Sequence, residues 1–195
     1  MAAPLELLAT GVPGLDALLR GGLVRGATVL VEGVPGAGKT TLGTQFLYHG
    51  ITLCGEPGLI ITFEESPAEI LRDAAGLGWD LEALERADKL RLVSTSPEVF
   101  AHELMEPGGL LDQVMAEIAP RRVLVDSLSL LTHITADSAE LRRLVYGLRN
   151  GLRRLGLTAI LTKEVPSTDP DIVPFEEYIA DTVIRLGYHL DPQCG

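Results

Sequence analysis

Short apolar runs alternate with segments of helical periodicity along this chain. The apolar runs predict β-strands at residues 28–32, 58–63, 89–94, 122–126, 158–162 and 181–188. The spacing of apolar positions between them predicts helices at residues 39–53, 67–77, 109–119 and 138–155. Several strands consist almost wholly of Val, Ile and Leu, which is typical of strands covered on both faces. The alternation therefore predicts an α/β fold, with a mostly parallel central sheet and helices on both faces.

The helix predicted at residues 138–155 has the clearest two-sided pattern. Its apolar positions recur on one face, at Leu141, Leu144, Val145, Leu148, Leu152 and Leu155. Its arginines lie largely away from that face, at Arg142, Arg143, Arg149, Arg153 and Arg154. Two interpretations stay open: a surface for a partner or another subunit, or a solvated face with ion pairs such as Glu140–Arg143.

Length and composition indicate one soluble domain. The 195 residues, 46% hydrophobic and 22% charged, suit a single globular domain over residues 1–195. The first residues do not resemble a signal peptide, and no apolar run approaches the ~20 residues of a membrane span. The cysteines, Cys54 and Cys194, are typical of a reducing compartment, and Cys54 is expected in the core or at its boundary. We therefore expect a cytoplasmic protein with no membrane contact.

The acidic charge of the chain limits its possible partners. A net charge of −11 disfavours non-specific binding of nucleic acid, because phosphate backbones are repelled. Lysine is scarce, since the chain has only Lys39, Lys89 and Lys163 against 13 arginines. A lysine inside a recognisable motif is therefore informative.

One such lysine ends a glycine-rich segment. Residues 33–40 read Gly-Val-Pro-Gly-Ala-Gly-Lys-Thr, which matches G-x-x-x-x-G-K-[ST] between a predicted strand and a predicted helix. The glycines let backbone N–H groups face phosphate oxygens, and the positive end of the helix faces the same anion. Lys39 can reach the outer phosphates, and the Thr40 hydroxyl can ligate Mg²⁺. The predicted phosphate-binding residues are Gly33, Pro35, Gly36, Ala37, Gly38, Lys39 and Thr40.

Polar residues end two further predicted strands. Asp126 follows Val125 at the end of residues 122–126, where a second Mg²⁺ partner belongs in this class of fold. It could instead cap the following turn. Thr162 and Lys163 end the strand at residues 158–162, and could sense a γ-phosphate or bond to the backbone.

Two adjacent carboxylates follow the strand at residues 58–63. Glu64 and Glu65 could orient and deprotonate an attacking water. Successive strand side chains point to opposite faces, so both cannot address one water equally. The alternative is an acidic N-terminus for the helix that Ser66 and Pro67 open, which the helix dipole favours.

Further segments combine with the phosphate loop into one ordered set. They are residues 10–23 (Thr-Gly-Val-Pro-Gly-Leu-Asp-Ala-Leu-Leu-Arg-Gly-Gly-Leu), 63–67 (Phe-Glu-Glu-Ser-Pro), 78–81 (Gly-Trp-Asp-Leu), 126–128 (Asp-Ser-Leu) and 174–181 (Pro-Phe-Glu-Glu-Tyr-Ile-Ala-Asp). In order and spacing, this set closely resembles the KaiC-like branch of the RecA/RadA ATPase superfamily, over about residues 7–190.

The resemblance implies a RecA-like P-loop core that forms a ring, usually a hexamer, with ATP between neighbouring subunits. It implies that Lys39, Thr40 and Thr41 contact phosphate and Mg²⁺. It also implies that Glu64 and Glu65 are the paired catalytic carboxylates, with Glu64 the first choice. The expected function is Mg²⁺-dependent attack of water on the γ-phosphate of ATP.

The chain also departs from the family pattern. Some relatives autophosphorylate on Ser and Thr, in a segment after the second of two tandem cores, and no such site carries over to this single core. Family members continue beyond the equivalent of residues 187–190 into a strand pair whose basic residues reach a neighbour's γ-phosphate. Because the sequence stops at Gly195, we expect the last strands of the core and these residues to be missing.

Other functions fit parts of the sequence. An ATP-binding module for signalling or assembly would need little turnover, and protein signalling partners or autokinase activity are further alternatives. A RadA-like DNA-dependent ATPase would use loops at about residues 129–138 and 164–177 to contact DNA. The second loop carries five carboxylates and no lysine or arginine, so nucleic acid is not an expected partner.

Overall fold

The computed structural model describes residues 5–105, 108–134, 137–165 and 180–188. The strands are β1 (Leu7–Leu8), β2 (Leu23–Val24), β3 (Thr28–Gly33), β4 (Gly58–Thr62), β5 (Leu90–Ser94), β6 (Arg122–Asp126), β7 (Thr158–Glu164) and β8 (Thr182–Leu186). The helices are α1 (Leu15–Leu18), α2 (Lys39–Cys54), α3 (Pro67–Gly76), α4 (Leu81–Arg86), α5 (Pro97–Met105), α6 (Leu110–Ile118) and α7 (Ser138–Arg154). A 3₁₀ helix, Leu128–His133, follows β6.

A parallel sheet with the strand order β5-β4-β6-β7-β3-β8 forms the centre of the domain. In its register, Thr62 lies opposite Asp126 and Gly33 lies opposite Glu164. The carboxyl ends of these strands therefore meet at one edge, where ligands bind in open α/β sheets. The predicted parallel sheet with helices on both faces is confirmed.

Helices cover the sheet on both faces and bury two apolar clusters. One cluster contains residues of α2, α3 and α4, among them Phe46, Leu47, Ile70 and Leu81. The other contains residues of α5, α6, α7 and the 3₁₀ helix, among them Phe100, Leu104, Val114, Leu128, Leu148 and Leu152. The central strands are buried on both sides, which explains why their sequence shows no alternation of polar and apolar residues.

Part of the arginine face of α7 binds within the domain. Arg149 and Arg153 donate to one carboxylate oxygen of Asp181, over 3.3 and 2.9 Å, and Arg154 donates to the carbonyl of Leu104 over 2.9 Å. These bonds tie the helix to the start of β8 and to α5.

Several short elements were not predicted from the sequence, because tertiary packing and not a periodic pattern stabilises them. They are the β1–β2 ribbon, α1, α4, α5 and the 3₁₀ helix. Cys54 is exposed, so its expected place in or beside the core was wrong. It is the last residue of α2, and the apolar run around it includes Leu53, which is also exposed. Of the loop expected at residues 164–177, Glu164 instead belongs to β7, and residues 166–177 lie outside the described residues.

No helix among the described residues is long and apolar enough to cross a membrane.

Candidate nucleotide-binding site

The glycine-rich segment forms the turn between β3 and α2. Gly36 and Gly38 have φ angles of +76° and +90°, a left-handed conformation that side chains rarely adopt. Gly38 is the N-cap of α2, and no side chain caps that helix end. The first N–H groups of α2 are therefore left for an anion at the helix N-terminus.

Lys39 is the first residue of α2 and is 6% exposed. Its Nζ donates to the carbonyls of Gly33 and Val34, over 3.1 and 3.0 Å. The carboxylate of Glu164, at the end of β7, lies 3.9 Å from the same Nζ. The ammonium group is thus held inside the loop by oxygen acceptors.

Asp126, at the end of β6, joins three elements of the site. Its Oδ2 accepts a hydrogen bond from Thr40 Oγ1 over 2.6 Å, and its Oδ1 accepts one from Thr162 Oγ1. Thr40 belongs to α2 and Thr162 to β7. The two candidates for a magnesium site, Thr40 and Asp126, are therefore in direct contact, as their sequence positions predicted.

The two adjacent glutamates follow β4 at the same edge. Helix α3 has its own capping box: Ser66 N–H donates to Glu69 Oε2 over 2.8 Å, and Glu69 N–H donates to Ser66 Oγ over 3.4 Å. The helix end is therefore capped without Glu64 or Glu65, and both of these line the cleft. This arrangement favours a role in the site over a role as helix cap.

The pKa of Glu65 lies above the ordinary value for a glutamate. Partial burial is the main cause, followed by the negative charges of Asp126, Asp73, Glu69 and Glu64. Each raises the cost of ionising this side chain. Glu65 therefore holds its proton more readily than an isolated glutamate.

A cleft of about 290 Å³ opens between the phosphate loop, β4, β6 and α3. Its lining is Gly36, Gly38, Lys39, Thr40, Thr41, Thr44, Thr62, Glu64, Glu65, Ile70, Asp73, Ala74, Leu77, Trp79, Asp126, Ser127 and Glu164. Within the described residues, this lining has five carboxylates and one cationic side chain, that of Lys39. Gly33, Pro35 and Ala37, predicted with the loop, belong to it but are not part of the lining.

Trp79, within the motif segment of residues 78–81, lines the cleft. Its ring stacks on that of Tyr48, with centroids 5.9 Å apart. The chain has no other tryptophan. Its fluorescence therefore provides a probe at a single position, beside the cleft.

Two residues at the site were not singled out from the sequence. Tyr188 is 69% exposed, and its hydroxyl donates to the Gly36 carbonyl of the phosphate loop. Glu164 was noted only as one acid of an acidic loop, whereas it faces Lys39. Glu164 faces Lys39 because β7 pairs with β3, the strand that leads into the phosphate loop, and this pairing is visible only in the structure.

Comparison with known proteins decides the family. The family model described as "ATPase: KaiC" matches residues 8–193. The chain belongs to the KaiC family of ATPases. This confirms the resemblance found in the sequence, and it makes the domain one of an ATP-binding family with a RecA-type fold.

Relatives of this KaiC-family chain include longer proteins. The circadian clock oscillator protein KaiC of Thermostichus vulcanus is 34% identical over 193 residues, which is 95% of this chain and 37% of that protein. KaiC of Prochlorococcus marinus (strain MIT 9313) is 32% identical over 189 residues, 93% of this chain and 38% of that protein. The chain thus spans less than two-fifths of these relatives. A crystal structure of a KaiC-like protein from Pyrococcus horikoshii OT3 has a TM-score of 0.80 and 33% identity, covering 93% of this chain and 81% of that one.

The donor set of the site fits Mg²⁺. Thr40 and Asp126 supply only oxygen atoms, which this ion prefers. The described residues hold no cluster of three or more His, Cys, Asp or Glu side chains that could bind a metal by itself. The Thr40–Asp126 pair suits an ion held by one or two side chains together with nucleotide phosphates.

Proposed function

We propose that this domain binds ATP together with Mg²⁺ and hydrolyses it by attack of water on the γ-phosphate. The contact between Thr40 and Asp126, 2.6 Å long and beside Lys39, is the observation that carries the proposal. It joins the two side chains of a magnesium site at the mouth of a phosphate loop. Glu64 and Glu65 line the same cleft.

The phosphate end of ATP would bind at the loop. Backbone N–H groups at residues 36–41 and the N-terminus of α2 would receive its oxygens. Lys39 would exchange its bonds to the carbonyls of Gly33 and Val34 for bonds to the outer phosphates. Since its ammonium is already buried, its attraction to phosphate is screened less than that of a surface lysine.

Thr40 and Asp126 would hold Mg²⁺. The Thr40 hydroxyl gives its single proton to Asp126, so its oxygen lone pairs can face a cation. When bound, the ion would neutralise part of the negative charge on the β- and γ-phosphates.

Glu64 would orient the attacking water and accept its proton, with Glu65 beside it. The resemblance to the family makes Glu64 the first choice as base, and both carboxylates line the cleft. The raised pKa of Glu65 makes it a stronger proton acceptor once ionised, so Glu65 can share this role.

The acidic lining supports assembly into a ring. Five carboxylates surround the place where phosphates would bind, and Lys39 is the cationic side chain that the described lining provides. A neighbouring subunit would have to add positive charge for rapid turnover. We propose a homo-oligomeric ring, with a hexamer as the expected size. Light scattering with and without ATP and Mg²⁺ tests it, and an unchanged monomer mass in both would contradict assembly.

Binding and hydrolysis are tested separately. Fluorescence of Trp79 measures nucleotide affinity, and Lys39→Ala should weaken that affinity by about 2–5 kcal/mol, which is at least about thirtyfold in Kd. Lys89→Ala, which removes an exposed lysine outside the cleft, is the control. Equal affinities of the two variants would contradict the phosphate site.

The hydrolysis step is tested with Glu64→Gln. Steady-state ATPase should fall by about 10²–10⁴-fold while ATP affinity is retained, because only the base is lost. Glu117→Gln on α6 is the control for removing a carboxylate elsewhere. Equal and near-zero turnover in wild type and Glu64→Gln would instead favour an ATP-binding module for signalling or assembly.

A further inference from the structure

Asp126 is held at both of its carboxylate oxygens. Thr40 binds Oδ2 and Thr162 binds Oδ1. Thr162 is fully buried on β7, which lies between β6 and β3 in the sheet. Strand β7 lies between β3, which leads into the phosphate loop, and β6, which ends in Asp126. This order places the Thr162 hydroxyl against the Asp126 carboxylate.

The proton of Thr162 is committed to Asp126. A hydroxyl has one proton to give. The other acceptor in reach, the carbonyl of Val125, is 3.5 Å away, at the limit of a hydrogen bond. Thr162 thus cannot donate to a γ-phosphate while it holds Asp126, which argues against the sensor role considered from the sequence.

Two bonds restrict Asp126 in a way that one bond does not. The terminal torsion of an aspartate has a broad, roughly two-fold energy profile, so a carboxylate held at one oxygen can still turn. The carboxylate of Glu65 lies close enough to interact with Asp126, and like charges repel. A bond from the opposite side fixes the plane of the group.

We propose that Thr162 is a positioning residue of the magnesium site, which holds Asp126 so that its other oxygen faces Thr40. The proposal rests on the proposed function, since it assigns Asp126 to Mg²⁺. Partners that orient a metal ligand typically change metal affinity by about 10–100-fold when removed. The expected effect is therefore on the magnesium requirement and not on the phosphate loop.

The test is the Mg²⁺ dependence of nucleotide binding, followed by Trp79 fluorescence with a non-hydrolysable ATP analogue. Thr162→Val keeps the shape and removes the hydroxyl, and it should raise the half-saturating Mg²⁺ concentration at least about tenfold. Thr162→Ser should restore it to within about twofold. Binding of the analogue in excess EDTA should be the same in all three proteins. Thr162→Ala, which adds no bulk, replaces the valine variant if that one does not fold.

The matched control is Thr158→Val. Thr158 lies on the same strand and is also fully buried, but its Oγ1 accepts from Gly26 N–H at the opposite edge of the sheet. It should lower the unfolding temperature and leave the Mg²⁺ dependence unchanged. If Thr162→Val also lowers the unfolding temperature and leaves the Mg²⁺ dependence unchanged, Thr162 is a structural residue and the proposal is wrong.

A failure of the proposed function and a failure of the positioning role of Thr162 give different results. A wild type whose analogue binding does not depend on Mg²⁺ contradicts the proposed function, and the role of Thr162 falls with it. A wild type that depends on Mg²⁺ and a Thr162→Val variant with the same dependence contradict only the positioning role. A variant with normal Mg²⁺ dependence that no longer distinguishes the analogue from ADP would identify Thr162 as a phosphate sensor.

Discussion

Lys39 and Glu164 face each other across the phosphate loop, with 3.9 Å between Nζ and Oε1. Glu164 is half-exposed, so the attraction is screened and contributes about 0.2–1 kcal/mol. ATP must displace this partner when its phosphates reach Lys39, and the remaining carboxylate then repels them. The glutamate therefore opposes nucleotide binding on two counts.

Glu164→Gln should bind ATP about two- to fivefold more tightly than wild type, since it removes both the competing partner and the repulsion. Titration of Trp79 fluorescence with ATP measures the change, and the difference should shrink at high salt. Glu117 lies on α6 and is an exposed partner of Arg91. Glu117→Gln should leave ATP affinity unchanged. Weaker binding by Glu164→Gln would show that the glutamate supports the site.

The pKa of Glu65 gives a stability prediction with a definite sign. A carboxyl whose pKa is raised by folding stabilises the folded state at low pH, and this contribution is lost as pH rises through the raised pKa. At neutral pH the ionised side chain of Glu65 has a higher free energy in the folded state than in the unfolded state. Glu65→Gln should therefore have a higher unfolding temperature than wild type at pH 7, and the gap should close below about pH 4.5.

Asp73 provides the matched change, because its charge is one cause of the raised pKa of Glu65. Asp73→Asn should lower the pKa of Glu65. It should therefore reduce the difference in unfolding temperature at pH 7 between proteins with Glu65 and with Glu65→Gln. Thermal unfolding from pH 4 to pH 8 is measured for wild type, Glu65→Gln, Asp73→Asn and the double variant. An identical gap with and without Asp73 would contradict the electrostatic cause.

The sequence predicts the motif residues of the site better than the contacts that depend on strand order. Gly36, Lys39, Thr40 and Asp126 follow from motifs that combine spacing with position at strand ends, and the sheet register then brings them together. Glu164 could not be assigned to Lys39 in the same way. Its place depends on which strand lies beside β3, and the strand order is set by packing of the whole sheet.

The hydrogen bond from the Thr162 hydroxyl to Asp126 could not be predicted from the sequence, for a related reason. A threonine at a strand end has many acceptors within reach, including its own backbone, so its partner cannot be read from local sequence. Only the order β6-β7-β3 makes Asp126 the neighbour of Thr162. The short elements α4 and α5 were missed because tertiary packing, and not a periodic pattern, stabilises them.

The chain should not bind single-stranded DNA appreciably. The segment of residues 164–177 has five carboxylates and no lysine or arginine, and neutralising phosphates requires lysine or arginine. Arg149 and Arg153, the most obvious alternative, are already paired with Asp181. Fluorescence anisotropy of a labelled oligonucleotide at low salt should show no binding at micromolar protein. Micromolar binding that weakens with salt would overturn this expectation.

Arg122 should be the most costly arginine to remove. Its guanidinium is fully buried at the start of β6, where Nε binds Glu56 over 2.6 Å and Nη1 binds the carbonyls of Ala9 and Phe46. It also lies 4.6 Å above the ring centroid of Phe46. The residue thus ties the N-terminal segment, α2 and the sheet together at the edge opposite the nucleotide site.

Arg122→Met should lower the free energy of unfolding by about 3–5 kcal/mol, because it leaves the Glu56 carboxylate short of its buried partner. Arg72→Met, which removes an exposed partner of Asp73, should cost less than about 1 kcal/mol. Partial burial opposes ionisation of Glu56, but hydrogen bonds from Arg25 and Arg122 outweigh it and lower its pKa. That stabilisation is present above about pH 4.5 and is lost as pH falls. The difference between wild type and Arg122→Met, measured by urea unfolding, should therefore narrow in acid, and a difference that does not change with pH would contradict the ion pair as its source.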